Sequence, residues 1–453
     1  MSPEPLTPSR RDLLRLSAGA ALLGGLGLRQ EPEPGDSEDP EDYRALVCVN
    51  LNGGVDGFSF ALPRTPSEYA KYRTARQALA IPRERLVPIR PANAAGLEYG
   101  MAPELSELAA RFDGGGLAVV LNVGPLVRPI TKQEFLAGTA PVPAFLFSHS
   151  DQSEQWRVAQ ADALGPFGWC GRVADRLAAR GGKSALPLCV SVAGETKLLV
   201  GAETSPYFLS TRGLEPIEAL ADERLRAAFE ALLEGEHGHP MERRYATVAR
   251  EAIEIDALLT RAFEGAPTFE GEFPRGNPLA EQLQTIARVI AVRQRLGQRR
   301  QVFFVDQVGY DTHSAQDEYL PPLLRGVSLA LDAFQRTLAR LGVEPLVTTF
   351  TTSEFGRTLT SNGKGTDHGW GNHHVVMGGA VRGGLLHGAV PDFALGGPDD
   401  IDEGRILPTR SVEQYAATLA RWFGLEDGEL AEVFPNLARF DAADLGFLRS
   451  DRG

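Results

Sequence analysis

The residues best suited to chemistry lie just before position 370. Glu354 and Arg357 follow the apolar run 346–350, and the pair Asp367 and His368 comes after a short polar loop. The apolar run predicts a buried strand, whose carboxyl end is a usual place for a binding site. Carboxylates and imidazoles are typical ligands of Zn²⁺, Mn²⁺ or Mg²⁺, and an arginine there could bind a tetrahedral oxyanion. Glu354 and Arg357 are either such site groups or an internal ion pair.

Two further acidic segments follow predicted strands. Asp56 lies in the glycine-rich turn after the first strand, where it is a metal-ligand candidate or holds its own turn. Asp311 and His313 could share one face of an extended backbone, or belong to a hydrogen-bonded turn. His373 and His374 enter an apolar run, so one of them is a candidate core residue.

Ser148 and Ser150 lie where a helix is predicted to start. A hydroxyl at a helix N-terminus faces free N–H groups that would hold a phosphate or sulfate, so either serine is a candidate nucleophile. The alternative is helix capping. A serine hydrolase using Ser148 and His149 is disfavoured, because no G-x-S-x-G turn surrounds the serine and adjacent residues rarely pair in this way.

These segments would meet if one parallel sheet carries their strands, because the strand ends then lie at the same edge. Two ions about 4 Å apart could there activate an oxygen nucleophile and stabilise the leaving oxygen. The predicted metal ligands are Asp56, Asp311, His313, Glu354, Asp367 and His368.

The elements that must position these residues alternate between apolar strands and amphipathic helices. The strand runs are continuous rather than alternating, as in a sheet covered by helices on both faces. The prediction is therefore an α/β fold, a three-layer α/β/α sandwich with a largely parallel sheet. Predicted strands are 46–51, 117–123, 186–192, 302–305, 346–350 and 375–381. Predicted helices are 103–112, 172–179, 217–233, 240–263, 279–296, 323–341 and 412–423.

Composition and the first residues set the domain organisation. The chain has 453 residues, 43% of them hydrophobic, which suits one large domain or two moderate ones. A formal charge of −13 argues against binding of nucleic acid or anionic lipid. Residues 44–453 form the predicted α/β domain. Within it, residues 214–299 carry no strand signal and are either a helical insert or consecutive helices on one face.

Residues 1–29 have the layout of a twin-arginine signal: two arginines, then a weakly apolar, glycine-rich run too short for a convincing membrane span. Residues 30–43 form an acidic, proline-rich linker. The expected partner is the twin-arginine export machinery, and the expected location is periplasmic or secreted. The three cysteines have no disulfide or metal spacing, which suits a protein that folds in the reducing cytosol before export.

The combined motifs resemble the exported bacterial family catalogued as domain of unknown function 1501, over nearly the whole mature chain. That family is in turn similar to the alkaline phosphatase and sulfatase superfamily, an α/β/α sandwich with a two-metal site and a hydroxyl nucleophile. The motifs that carry the resemblance are the export signal and residues 53–57, 147–150, 168–172, 311–313, 353–358 and 365–369.

By that resemblance Asp56 matches the first metal aspartate, Ser148 the nucleophile, Asp311 and His313 the later ligands, and His368 the final histidine. The expected activity is metal-dependent hydrolysis of an anionic small-molecule or glycan ester, a phosphate or a sulfate. The alternative is a non-catalytic exported binding or assembly protein on the same fold.

Two departures from the superfamily pattern bear on the ligand set. Only one residue separates Asp311 from His313, where the superfamily usually has a longer gap. Glu354 stands in a Ser-Glu-Phe sequence where the superfamily normally has Asp-His. Either Glu354 substitutes as a ligand, the loop brings Asp367 and His368 into the site, or metal binding has been partly lost.

Overall fold

The computed structural model describes residues 42–181, 186–211 and 222–449. The predicted export signal, and all but the end of the predicted linker, lie outside these residues. In the described part, strands and helices alternate as the apolar pattern predicts. The strands are β1 Arg44–Asn52, β2 Leu62–Pro63, β3 Val87–Ile89, β4 Tyr99–Met101, β5 Leu117–Gly124, β6 Cys189–Ser191, β7 Tyr207–Phe208, β8 Arg300–Val308, β9 Val347–Thr352, β10 Asn372–Met377, β11 Leu386–His387 and β12 Arg410–Ser411.

The helices have the amphipathic patterns expected of a layer that packs on a sheet. Helices α7 and α10 have the predicted bounds, whereas α9 starts before its predicted first residue even though Pro321 and Pro322 lie within it. The helices are α1 Pro66–Arg76, α2 Ser106–Asp113, α3 Lys132–Leu136, α4 His149–Val158, α5 Trp169–Ala179, α6 Glu223–Glu234, α7 Pro240–Phe263, α8 Pro278–Ala291, α9 Gln316–Arg340, α10 Val412–Phe423 and α11 Asp427–Val433.

The main sheet has nine strands in the order β11-β5-β10-β9-β1-β8-β6-β7, with β12 beside β5. The central strand β1 pairs in parallel with both β8 and β9. Strand β10 alone runs antiparallel to its neighbours β9 and β5. The sheet is therefore largely parallel, as predicted. A small antiparallel sheet, β2-β4-β3, lies apart from it.

Two apolar cores, one on each face of the sheet, make the three layers. Along β1, Val47 and Val49 belong to the core beneath α8 and α9, whereas Leu46 and Cys48 belong to the core beneath α5 and α10. Successive side chains of a strand point to opposite faces, so a strand covered on both sides must be apolar throughout. This confirms the sandwich inferred from the continuous apolar runs.

The segment 222–299 is helical in the structure, with α6, α7 and α8 and no described strand. Helix α8 packs on α9 and β8, so it belongs to one of the two outer layers. The boundaries of a separate insert at 214–299 remain a prediction. No helix among the described residues is long and apolar enough to cross a membrane. Cys48, Cys170 and Cys189 are all buried and free.

The reversed direction of β10 decides which residues reach the candidate site. The carboxyl ends of β1, β8 and β9 lie at one edge of the sheet, and the start of β10 lies at the same edge because it is antiparallel. Asp367 and His368 therefore reach this edge in the segment that leads into β10. The sequence pattern predicts them on a loop that follows the strand before it.

Close packing at this edge predicts that Gly57 tolerates no side chain. A Cβ there would lie 2.0 Å from the side-chain oxygen of Asn372 and 2.6 Å from the carbonyl oxygen of His373. We expect Gly57→Ala to lower the free energy of unfolding by about 1–3 kcal/mol in urea titrations. As a control, Gly428→Ala in helix α11, where nothing lies within 4 Å, should leave stability equal or slightly higher. Equal effects of the two changes would contradict this packing.

Candidate metal site

Three side chains from separate segments converge at the carboxyl edge of the sheet. Asp311 follows β8, His149 is the first residue of α4, and His368 lies just before β10. One ligand atom from each lies within 4.8 Å of the others. His313 joins them, because its Nε2 is 2.8 Å from Nε2 of His368 and 3.1 Å from Oδ1 of Asp311.

His149 is fixed by the buried carboxylate of Glu354. The Nδ1 of His149 lies 2.9 Å from Oε1 of Glu354, which also accepts a hydrogen bond from the backbone N–H of Gly53. Since a carboxylate can only accept here, His149 carries its proton on Nδ1 and presents Nε2 to the cluster. This hydrogen bond raises the pKa of His149. Burial is the largest influence and opposes ionisation of Glu354, but the bond from His149 and those from backbone N–H groups together outweigh it and lower the pKa of Glu354.

The other two histidines are held in the same way. The Nδ1 of His368 donates to the carbonyl oxygen of Phe147 at 2.7 Å, and the Nδ1 of His313 donates to Asp367 at 2.8 Å. Asp367 also accepts from the amide of Asn362. Each imidazole therefore turns its Nε2 lone pair inward. Partners on the outer nitrogen of this kind are the usual means of orienting metal-binding histidines.

The inward nitrogens are too close to be explained by neutral histidines alone. With both Nδ1 atoms protonated, the Nε2 atoms of His313 and His368 face each other at 2.8 Å with only lone pairs between them. Either a further proton or a cation must lie there. Burial, together with the positive charge of Arg357, lowers the pKa of His368 and so disfavours the extra proton on that ring. Three imidazole nitrogens and one carboxylate are also the ligand types that cations such as Zn²⁺ prefer, so the donor set fits a cation.

Asp311 is the carboxylate of the cluster and is fixed by Arg357. Its Oδ1 accepts from the guanidinium at 2.7 Å and lies 3.2 Å from Nε2 of His368, while Oδ2 lies 3.5 Å from Nε2 of His149. Burial is the largest influence and opposes ionisation, but the hydrogen bond and charge of Arg357, together with the two histidines, outweigh it and lower the pKa of Asp311. The cluster is open to solvent, since the side chains of Asp311 and His313 are 47% and 43% exposed.

Arg357 binds protein groups in this structure, whereas the sequence analysis predicts that it binds an oxyanion of the substrate. Its side chain is fully buried, and it donates to the carbonyl oxygens of Gly53, Gly54 and Tyr310 as well as to Asp311. The guanidinium thus joins two turns at the sheet edge. Of the two interpretations of Arg357, the internal ion pair fits the contacts, and its partner is Asp311 instead of Glu354.

Asp56 also departs from its predicted role, because its carboxylate does not face the histidines. Its two oxygens accept from Arg76 at 2.7 Å and from Gln316 at 2.9 Å, all within the buried interior. An unpaired charge there would be costly, and the arginine satisfies it. Glu354 likewise serves as the partner of His149 and the 53–54 turn. Of the six predicted metal ligands, Asp311, His313 and His368 take part in the cluster, and Asp367 supports it.

Of the two predicted nucleophiles, Ser148 caps α4 and Ser150 lies in its first turn. The hydroxyl of Ser148 is 2.6 Å from Oδ2 of Asp151 and accepts from the backbone N–H of that residue, while Ser150 lies 3.1 Å from Ser148. Among the described residues, no hydrogen bond joins either hydroxyl to His149, Asp311 or His368. Of the two interpretations of Ser148, nucleophile or helix cap, the contacts in this structure are those of a helix cap.

The sequence analysis does not include His149 among the predicted ligands. It considers this residue only as the base of a serine pair, which is disfavoured by the missing G-x-S-x-G turn and by its adjacency to Ser148. The signal available was its position at the start of a predicted helix, in the same motif as the candidate nucleophile. At that position a side chain lies at the edge where the strands end. What the sequence could not show is that Glu354 would contact its Nδ1.

Comparisons with known proteins identify the family. The family described as protein of unknown function, DUF1501, matches residues 43–434. The chain belongs to the DUF1501 family. This confirms the family predicted from the motifs. No curated protein matches the sequence.

Solved structures similar to this DUF1501 protein include phosphatases and sulfatases. A variant of the alkaline phosphatase PafA is 11% identical over 71% of this chain, with a TM-score of 0.27, and the chain spans only 64% of its length. The sulfatase PsFucS1 from Pseudoalteromonas sp. is 10% identical over 92% of this chain and 71% of its own, with a TM-score of 0.33. The C-terminal periplasmic domain of EcEptC from Escherichia coli is 13% identical over 88% of this chain and 85% of its own, with a TM-score of 0.29. They belong to the predicted superfamily, but at these TM-scores the likeness supports no argument about the site.

The buried pair His373 and His374 gives a prediction about pH. Burial lowers their pKa values to about 4 and about 3 from 6.5, so the folded protein keeps both neutral while the unfolded chain takes up protons below pH 6.5. Stability should therefore fall as the pH drops, by up to about 1.4 kcal/mol per pH unit for each ring. His374→Phe keeps a ring packed against Trp156 and Tyr415. It removes the contribution of one buried histidine to the pH dependence of the free energy of unfolding.

Urea unfolding at pH 6.5 and pH 5.0 measures the effect. The loss of unfolding free energy between the two pH values should be smaller in His374→Phe than in the wild type by about 1.5 kcal/mol. His237→Phe, which changes a partly exposed histidine, serves as the control for loss of one histidine. An unchanged difference between the two pH values in His374→Phe would show that the folded protein does not keep this ring neutral.

Proposed function

We propose that this protein is a metal-dependent hydrolase of phosphate or sulfate esters, exported folded to the periplasm. The observation that supports it is the convergence of three inward-facing imidazole nitrogens and one carboxylate at an open sheet edge. Imidazole and carboxylate ligands suit Zn²⁺ or Mn²⁺. The cluster has ligands for one ion, because the carboxylates of Asp56 and Glu354 are held by other partners.

The roles of the residues follow from their contacts. His149, His368, His313 and Asp311 would hold the ion, which when bound supplies Lewis acidity toward an ester oxygen and an activated water. Arg357 fixes the Asp311 carboxylate, and Glu354 fixes the tautomer of His149. Ser148, one residue before His149 and at a helix N-terminus, is the side chain placed to act as nucleophile if its hydroxyl turns away from Asp151.

A second candidate, a non-catalytic binding or assembly protein, is favoured by two observations. The hydroxyl of Ser148 caps α4, and the guanidinium of Arg357 is engaged with backbone carbonyls and Asp311. In that case the same cluster would hold one structural ion or none. Turnover separates the two, since only the first candidate hydrolyses esters.

Metal content and turnover test the proposal together. The purified protein should carry about one equivalent of metal by elemental analysis and should hydrolyse 4-nitrophenyl phosphate or 4-nitrophenyl sulfate. The double variant His149→Ala, His368→Ala should lose the metal, and its rate should fall to less than about one hundredth of the wild type. His239→Ala, an exposed histidine elsewhere, is the matched control. Normal hydrolysis by the double variant would rule the assignment out. Metal binding without turnover would favour the second candidate.

Glu354 should control metal affinity without being a ligand. Glu354→Gln keeps an oxygen that can accept from Nδ1 of His149 but removes the negative charge, whereas Glu354→Ala removes both. Loss of such an outer partner typically weakens metal binding 10–100-fold. We expect the dissociation constant for Zn²⁺, measured by competition with a chelating dye, to rise about tenfold in Glu354→Gln and further in Glu354→Ala. A dissociation constant unchanged in both would show that Glu354 does not support the site.

A further inference from the structure

The charge of the metal cluster is set by its own carboxylate and by the groups that hold its ligands. The carboxylate in the cluster, that of Asp311, is paired with the guanidinium of Arg357 at 2.7 Å. Two more carboxylates, those of Glu354 and Asp367, hold histidines from outside the cluster at 2.9 and 2.8 Å. Three carboxylates and one guanidinium give a formal charge of −2. Binding of one divalent ion would therefore bring this charge to zero.

Arg405 is a further positive charge beside the cluster, and it is already paired. Its Nε donates to the carbonyl oxygen of His368 at 3.2 Å, and its central guanidinium carbon lies 5.0 Å from the ring centroid of Phe147. Its Nη1 is 2.8 Å from a carboxylate oxygen of Glu403 and 3.7 Å from one of Asp402. This arginine therefore supports the segment that carries His368 without leaving an uncompensated positive charge at the site.

The other positive charge near the cluster is partial or exposed. Free N–H groups at the start of a helix carry about half a positive charge, which would attract an anion. In α4 this partial charge already has an acidic partner, because Asp151 lies in the first turn and its carboxylate is 2.6 Å from the hydroxyl of Ser148. Lys364 lies on the loop before Asp367, but it is exposed, so solvent and salt weaken its charge.

We infer that the site takes esters with a single negative charge, which are sulfate monoesters or phosphate diesters, in preference to phosphate monoesters. The inference rests on the proposed function and narrows its substrate class. A phosphate monoester has a second pKa of about 6, so it carries close to two negative charges at neutral pH. With Arg357 and Arg405 already paired, that ester would leave the metal-loaded site with two uncompensated negative charges. A singly charged ester leaves one, and the electrostatic cost rises with the uncompensated charge.

Removal of one carboxylate charge should shift the preference toward the doubly charged ester. Asp367→Asn keeps an oxygen that can accept from Nδ1 of His313 but removes one negative charge. In the Zn²⁺-loaded full chain, we expect the kcat/KM for 4-nitrophenyl phosphate, divided by that for bis(4-nitrophenyl) phosphate, to rise about fivefold in this variant. The ratio cancels any change in the fraction of metal-loaded protein, since both substrates meet the same sample.

A matched control and a third substrate complete the turnover test. Glu432→Gln, which removes an exposed carboxylate from an ion pair on α11, should leave the ratio unchanged. Hydrolysis of 4-nitrophenyl sulfate, compared with bis(4-nitrophenyl) phosphate, shows which of the two singly charged classes is the better substrate. Should Asp367→Asn not fold, Glu354→Gln also removes one charge, keeps an acceptor for His149, and serves the same comparison.

Equilibrium binding separates failure of this inference from failure of the proposed function. At about pH 8, methyl sulfate and dimethyl phosphate carry one negative charge, whereas methyl phosphate carries two. Isothermal titration calorimetry on the Zn²⁺-loaded protein should give a dissociation constant about fivefold lower for at least one of the singly charged ions than for methyl phosphate. Asp367→Asn should narrow that gap.

The outcomes of the binding experiment are distinct from those of turnover. If no ester is hydrolysed but the singly charged ions still bind more tightly, the hydrolase proposal fails and the charge preference stands. Equal or tighter binding of methyl phosphate, or no binding of any of the three ions, overturns the inference. So does an Asp367→Asn variant that folds, binds Zn²⁺ and shows the same gap as the wild type.

Discussion

The buried guanidinium of Arg357 is the interaction on which the site depends. It donates to carbonyls in the turn after β1 and to Tyr310 in the turn after β8, and it pairs with Asp311. A buried charge is tolerated only when its donors are satisfied, so these turns can move only if several hydrogen bonds break together. Asp311 is thereby held in the one orientation that faces the histidines.

The three histidines of the cluster are also oriented by hydrogen bonds to groups outside it. Each inward Nε2 is fixed by an acceptor on Nδ1, and the three acceptors come from different parts of the chain: Glu354, Asp367 and the carbonyl of Phe147. Two of these acceptors are carboxylates that resembled ligands in the sequence. A residue type suited to metal binding is equally suited to orienting a ligand, because both roles need a strong acceptor. Only the distances in the structure show which of these two roles a carboxylate has.

Local sequence patterns were enough to predict the α/β class, the largely parallel sheet and the family. Continuous apolar runs such as the one in β5 predict strands covered on both faces, and the polar segments after the strands predict one functional edge. These are local signals, since strand and helix periodicity depend on nearby residues. The tertiary structure alone decided that β10 is reversed, that Asp56 pairs with Arg76, and that His149 belongs to the cluster. Those outcomes depend on contacts between residues that are far apart in the chain. A local sequence pattern carries no information about such contacts.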